Sequence, residues 1–139
     1  MWLVVIVFFA GCASIQEAES LYNKGDKETA LNMAISLLDK DDPGVRLQAV
    51  RLIGKVGGEK AGSALRMKIR DSDSKVQKEV VKHLGKLRYE PAMEDLVDLV
   101  PESDDGLARV IGGAFANDGE PGIDMLVERY EDPSEQSNR

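Results

Sequence analysis

Cys12 is the one cysteine of this 139-residue chain, and His83 is the one histidine. A lone thiol closes no internal disulfide, and a lone imidazole builds no histidine-rich zinc site. No metal and no cofactor is therefore expected. His83 falls in a register that is otherwise apolar (Leu52 in the preceding unit), so it reads as a partly buried helix histidine rather than a catalytic one. Glu94 and Asp98 lie four residues apart and share one helix face. That spacing mimics a carboxylate pair but reads as a solvated face. The stretch Gly54-Lys55-Val56-Gly57-Gly58 lacks the preceding strand and the Lys-Ser or Lys-Thr of a phosphate loop. No catalytic arrangement emerges, and the chain is not expected to be an enzyme.

The surroundings of Cys12 are more informative. Met1 through Ile15 carries no charged side chain, and the first ten residues, MWLVVIVFFA, are almost wholly apolar. A membrane-spanning helix needs about 20 apolar residues, whereas the core of a secretory signal needs roughly 7–15. The signal fits better. Small residues, Ala10 and Gly11, immediately precede the cysteine in Phe9-Ala10-Gly11-Cys12. This segment resembles the lipobox of bacterial lipoproteins, with Phe9 where an aliphatic residue is usual and no Lys or Arg ahead of the apolar run. The resemblance implies a signal peptide over 1–11 and a mature chain starting at an acylated Cys12. Several acyl chains, palmitate among them, would anchor it, because one chain alone binds membranes marginally. Ala13 and Ser14 follow the cysteine, and no aspartate stands there as an inner-membrane retention signal. The expected location is therefore the periplasmic side of an envelope membrane, the outer one in a two-membrane bacterium. Two other readings of the apolar start are a buried N-terminal helix with an incidental cysteine and a membrane-docking helix on a cytosolic protein.

What would position these groups is a repeat. Asp42, Asp73 and Asp104 are spaced by 31 residues, and so are Val45, Val76 and Leu107, then Ala49, Val80 and Ile111, then Ile53, Leu84 and Phe115. Gly54, Gly85 and Ala116 keep the same interval, as do Ala61, Ala92 and Ile123, and Leu65, Leu96 and Val127. Each unit reads as two helices. The aspartates suit N-caps, Pro43 suits a first helical position, and Gly57 and Gly119 suit helix ends. Arg88 interrupts that last column, so the second unit is expected to stop differently. Pro91 and Pro121 stand near two second-helix starts. The small residues at 54, 85 and 116 are expected to let the two helices of one hairpin approach closely. Hairpins of this kind cannot bury their apolar faces alone and stack into a solenoid.

The pattern Asp42-Pro-Gly-Val45-Arg46-x-x-Ala49-Val50-x-x-Ile53-Gly54-Lys55-Val56-Gly57 resembles HEAT repeats, particularly a short variety also found in bilin-lyase-like proteins. The resemblance covers Asp41 to Asp132 and implies an all-α solenoid of about four stacked hairpins. Its units are 41–71, 72–102 and 103–132, after a lipidated N-terminus and first hairpin over 12–40. The wholly polar tail at 133–139 is expected to be disordered. The arginine after the valine position is present as Arg46, while Gln77 and Ala108 replace it in the next two units. In the first hairpin, Ala18, Leu21, Tyr22, Gly25, Asp26, Ala30 and Ala34 resemble a tetratricopeptide repeat and equally fit an atypical HEAT cap.

Charge completes the picture. The chain has 18 basic and 25 acidic residues, a net charge of −7, which argues against a general nucleic-acid binder. The distribution is uneven. Residues 13–43 carry three basic and seven acidic side chains, 44–88 carry twelve and four, and 89–139 carry three and fourteen. Lys60, Arg66, Lys68 and Arg70 form a basic set unopposed on their own helix, and Lys78, Lys82 and Lys86 form a stripe. Either neighbouring repeats neutralise one another, or the basic middle is a binding surface for an acidic protein segment or anionic head groups, with weak head-to-tail self-association a further possibility. HEAT-like families usually line their concave face with second helices. Carried over here, that face holds Ser63, Arg66, Met67, Arg70, Glu94, Asp98, Asp124 and Glu128. The expected role is a non-catalytic adaptor for an envelope protein. A pilotin-like or outer-membrane assembly lipoprotein is the alternative among binding proteins, and a bilin-lyase-like enzyme the alternative of another class.

Overall fold

The computed structural model describes residues 14–119 and, beyond them, helical residues 122, 124, 125, 127 and 128. Cys12 with its apolar leader, Pro121 and the 133–139 tail lie outside the described residues. Seven α-helices follow in order: α1 (Ile15–Asn23), α2 (Lys27–Ser36), α3 (Pro43–Val56), α4 (Glu59–Arg66), α5 (Ser74–Leu87), α6 (Met93–Leu99) and α7 (Asp105–Asp118). Short 3-10 turns over Glu90–Ala92 and Val100–Glu102 bracket α6. Among the described residues, no helix is long and apolar enough to cross a membrane.

The aspartate ladder caps the first helix of each unit. The carboxylate of Asp42 accepts from the N–H of Gly44 at 2.7 Å, that of Asp73 from Lys75 and Val76 at 2.9 and 3.1 Å, and that of Asp104 from Leu107 at 2.6 Å. Each bond satisfies an orphan donor at the positive end of a helix. Pro43 opens α3 in the first turn, where its missing N–H costs nothing. Gly57 and Gly119 end α3 and α7 at φ 72° and 84°, as their column predicts. The second unit stops differently, as the interrupted column predicts: Gly57 and Gly119 combine positive φ with extended ψ (−170° and −149°) and one closing bond each, whereas α5 ends on Arg88. Arg88 adopts the left-handed conformation itself, at φ 49°. Its N–H bonds to the Gly85 carbonyl and that of Tyr89 to Leu84, both at 3.2 Å, which is a Schellman closure on a non-glycine residue. The closure delivers the Tyr89 ring onto Gly62 of α4, where any Cβ would collide with it.

The hairpins α1–α2, α3–α4 and α5–α6 stack so that α1, α3, α5 and α7 form one layer, α3 lying against α5 and α5 against α7. Buried apolar columns make a single core: Ala49, Val80 and Ile111 on one rank, Ile53, Leu84 and Phe115 on another, with Leu65 and Leu96 from the second helices. The small residues at 54 and 85 do not serve the hairpin as expected. A Cβ on Gly54 would run into the His83 ring, and one on Gly85 would lie 2.5 Å from the Ala114 Cα. Both neighbours belong to the first helix of the next repeat. The glycines therefore set the spacing between repeats, and the third member of the column, Ala116, is exposed.

Arg46 of α3 ties two successive capping loops together. Its guanidinium makes two hydrogen bonds to the Asp71 carboxylate, at 2.8 and 2.9 Å, and donates to the carbonyls of Lys40 and Asp41. Burial works against ionised Asp71, but the Arg46 bonds and the N–H of Asp73 hold its carboxyl below the ordinary range. Gln77, which replaces the arginine in the next unit, keeps part of this function by donating to the Ile69 carbonyl at 3.0 Å.

Candidate functional site between the second helices

Five of the eight residues expected on the second-helix face meet in one groove of about 510 Å³: Ser63, Arg66, Met67, Arg70 and Asp98, joined by Ile69 and Asp95. Local chain geometry builds it. α4 stops at Arg66, and the chain continues in tight turns, with the N–H of Lys68 bonded to the Leu65 carbonyl and that of Ile69 to Arg66. Buried Leu65 and Ile69 draw this turn into the core. Met67 between them is left 83% exposed, the most exposed large apolar side chain described. A thioether on a flexible stem is an adaptable contact for an apolar partner group.

Charged pairs frame Met67. Arg66 donates to Asp95 at 2.5 Å, and Arg70 pairs with Glu102. The hydrogen bond to Asp95, followed by its charge, raises the Arg66 pKa further above the titrating range. These pairs are exposed and add little stability, but they order both rims of the groove. Glu94, Asp124 and Glu128 are exposed outside it. Asp95, which is not among the residues expected on that face, takes the place given to Glu94. Some contacts across the junctions join residues 29 apart rather than 31, because side chains of one repeat lean toward the next, while Arg70 and Glu102 are 32 apart. Gly54 to His83 and Arg66 to Asp95 share the offset of 29.

The basic set that reads as unopposed along α4 is thus opposed across repeat junctions: Arg66 by Asp95, Arg70 by Glu102, and Lys68 by Asp39 at 2.6 Å, while Lys60 bonds to Asn32. The lysine stripe of α5 divides. Lys78 turns to Asp104, the N-cap of α7, at 3.2 Å, Lys82 bonds to Glu79 on its own helix, and Lys86 is exposed.

His83 is buried against Gly54. Its Nε2 lies 3.3 Å from Glu79 Oε1, yet makes no hydrogen bond among the described residues. Burial, with help from Lys86 and Lys82, lowers its pKa from 6.5 against the opposing pull of Glu79. The unfolded chain therefore takes up this proton first. Stability is full above 6.5, falls as pH drops toward the lowered folded value, and flattens below it. The lowered carboxyls, Asp71, Glu79 and Asp104, lose their contributions only at more acid pH. Replacing His83 with Leu is expected to flatten the stability profile just below pH 6.5, as read by urea midpoints. An unchanged slope would refute the assignment to this imidazole.

Paired helices stacked in a single file, with capped first helices in one layer and a shallow groove between second helices, define an α-solenoid. The family pattern described as HEAT repeats matches residues 31–116. The chain belongs to the HEAT repeat family. The match takes in most of α2, so the first hairpin is partly inside it. No curated protein matches the chain.

Proposed function

We propose that this protein is a non-catalytic adaptor of the cell envelope, anchored through acyl chains on Cys12, that receives a segment of a partner protein in the groove between α4 and α6. The observation that carries this reading is Met67, exposed at the centre of a groove with charged rims. Interfaces concentrate binding at such a point, an adaptable apolar anchor ringed by polar groups that fix register. Membership of the HEAT repeat family supports a scaffold role, since stacked hairpins offer extended surfaces.

The adaptor reading is tested with a photo-crosslinking side chain at position 67 of the full chain in cells. It should give a discrete adduct with an envelope protein, while the same group at Gln48, outside the groove, gives none. Equal adducts at both positions, or none at 67, would overturn the groove assignment. The anchor is tested separately. Mass spectrometry of the mature protein should find an acylated Cys12 at the N-terminus, and Cys12→Ser should move the protein out of the membrane fraction. An unmodified Cys12 behind an intact Met1 defeats the anchor and leaves the groove standing.

A further inference from the structure

The face opposite the Met67 groove carries the other charge concentration. Arg51 of α3 and Lys82 of α5 hold the same position in successive repeats, and so do Lys55 and Lys86. Packed helices lie about 8–10 Å apart, so these four side chains form a two-by-two grid of cations. Together they line a groove of about 640 Å³. Glu79, largely buried within it, contacts Arg51 at 3.6 Å and Lys82 at 3.2 Å and draws both inward. Lys55 and Lys86 enter no ion pair among the described residues, and both are exposed. Glu19 on the rim is the remaining carboxylate, which leaves the groove net positive.

Gln16 lines the same groove. It stands four residues after Cys12, a reach of at most about 14 Å in extended chain. From this juxtaposition we infer that the α3–α5 outer face docks onto the anionic lipid leaflet in which Cys12 is anchored, an inference that rests on the anchor proposed above. The tether holds Gln16, at the edge of the grid, within at most about two Debye lengths of the head groups, and any less extended chain brings it closer, into the range where attraction acts at physiological salt. Each cation near an anionic leaflet adds roughly a fivefold factor to association. The acidic C-terminal third, with three basic and fourteen acidic residues over 89–139, is repelled by the same leaflet. Attraction of the middle and repulsion of the end turn the tethered molecule one way up. The Met67 groove then faces away from the lipid, toward soluble or membrane partners.

The test uses the full acylated protein, reconstituted in vesicles containing about one-quarter phosphatidylglycerol or in neutral phosphatidylcholine vesicles. Lysine labelling by a soluble amine reagent is read by mass spectrometry. Lys55 and Lys86 should label roughly fivefold more slowly on the anionic vesicles, and about 0.5 M salt should abolish the difference. Lys60, on α4, should label alike in both. Lys55→Gln combined with Lys86→Gln should lower the protection of Lys82 while the far-UV spectrum stays unchanged. Protein that floats with both vesicles but labels equally on them overturns the docking and leaves the anchor intact. Protein that floats with neither overturns the anchor, and the docking with it. Equal protection by inorganic phosphate or polyglutamate without vesicles overturns the lipid assignment in favour of a soluble anion or an acidic protein. Unchanged protection of Lys82 in the double variant overturns the grid.

Discussion

Leu84→Ala should destabilise the protein by about 2–5 kcal/mol, the range for truncating a fully buried leucine. Leu84 is completely inaccessible and belongs to the rank of Ile53 and Phe115, the seam along which α3, α5 and α7 stack. Removing three heavy atoms there opens a cavity bordered by two repeats, and neither can collapse into it without moving a capped helix. Equilibrium urea unfolding would register this as a lower midpoint with little change in slope. Lys86→Ala, two residues on and exposed, should stay within about 0.5 kcal/mol of the parent. Equal effects at the two sites would mean that the helix is rotated from the register described.

Gly85→Ala carries the second large effect, and its sign is the diagnostic. Helix propensity alone says that alanine gains up to about 1 kcal/mol over glycine, even in the last turn where Gly85 stands. The structure says the reverse, because the new Cβ would sit 2.5 Å from the Ala114 Cα and 2.6 Å from its Cβ. The first of these is a backbone atom, so relief requires α5 and α7 to move apart, at an overpacking cost of about 1–3 kcal/mol. Gly113→Ala is the matched control. It lies in α7, exposed, and a Cβ there meets nothing within 4 Å, so propensity should prevail and the protein should gain stability. The pair is read in one thermal series. If both variants gain, the α5–α7 contact is looser than described. Ala114→Gly added to Gly85→Ala should restore only part of the loss, since the contact to the Cα remains.

The repeat was legible because its periodic signals are local. A capping aspartate serves its own helix, and a core leucine lies on its own stripe, so both recur at 31 and can be counted. The partners of Gly54, Gly85 and Arg66 were not legible, because each reaches into the next repeat at a different interval. A column of small residues says that something approaches closely without saying what. The ion pairs follow the same logic. Arg66 and Asp95 fall in different columns of the 31-residue frame, and only the lean of side chains across the junction brings them together. Arg88 was opaque for another reason. A left-handed arginine carries no sequence mark, and the ring it delivers onto Gly62 is evident only once both helices are in place. The groove was legible on its α4 side and at Asp98, while at the start of α6 Asp95 rather than Glu94 faces it.

The inter-repeat charge pairs have a mechanical consequence. Lys68–Asp39, Arg66–Asp95, Arg70–Glu102 and Lys78–Asp104 each bridge two hairpins, and none joins helices of the same hairpin. Their attraction therefore resists the bending and twisting of one hairpin against the next. Three of the four include a partner with well over half its side chain accessible, so dissolved salt weakens them. The array behaves as a spring whose stiffness is set by ionic strength while its coils, held by apolar packing, keep their shape. A partner that spans more than one hairpin will feel that compliance as a change in fit, even where no residue it touches has altered.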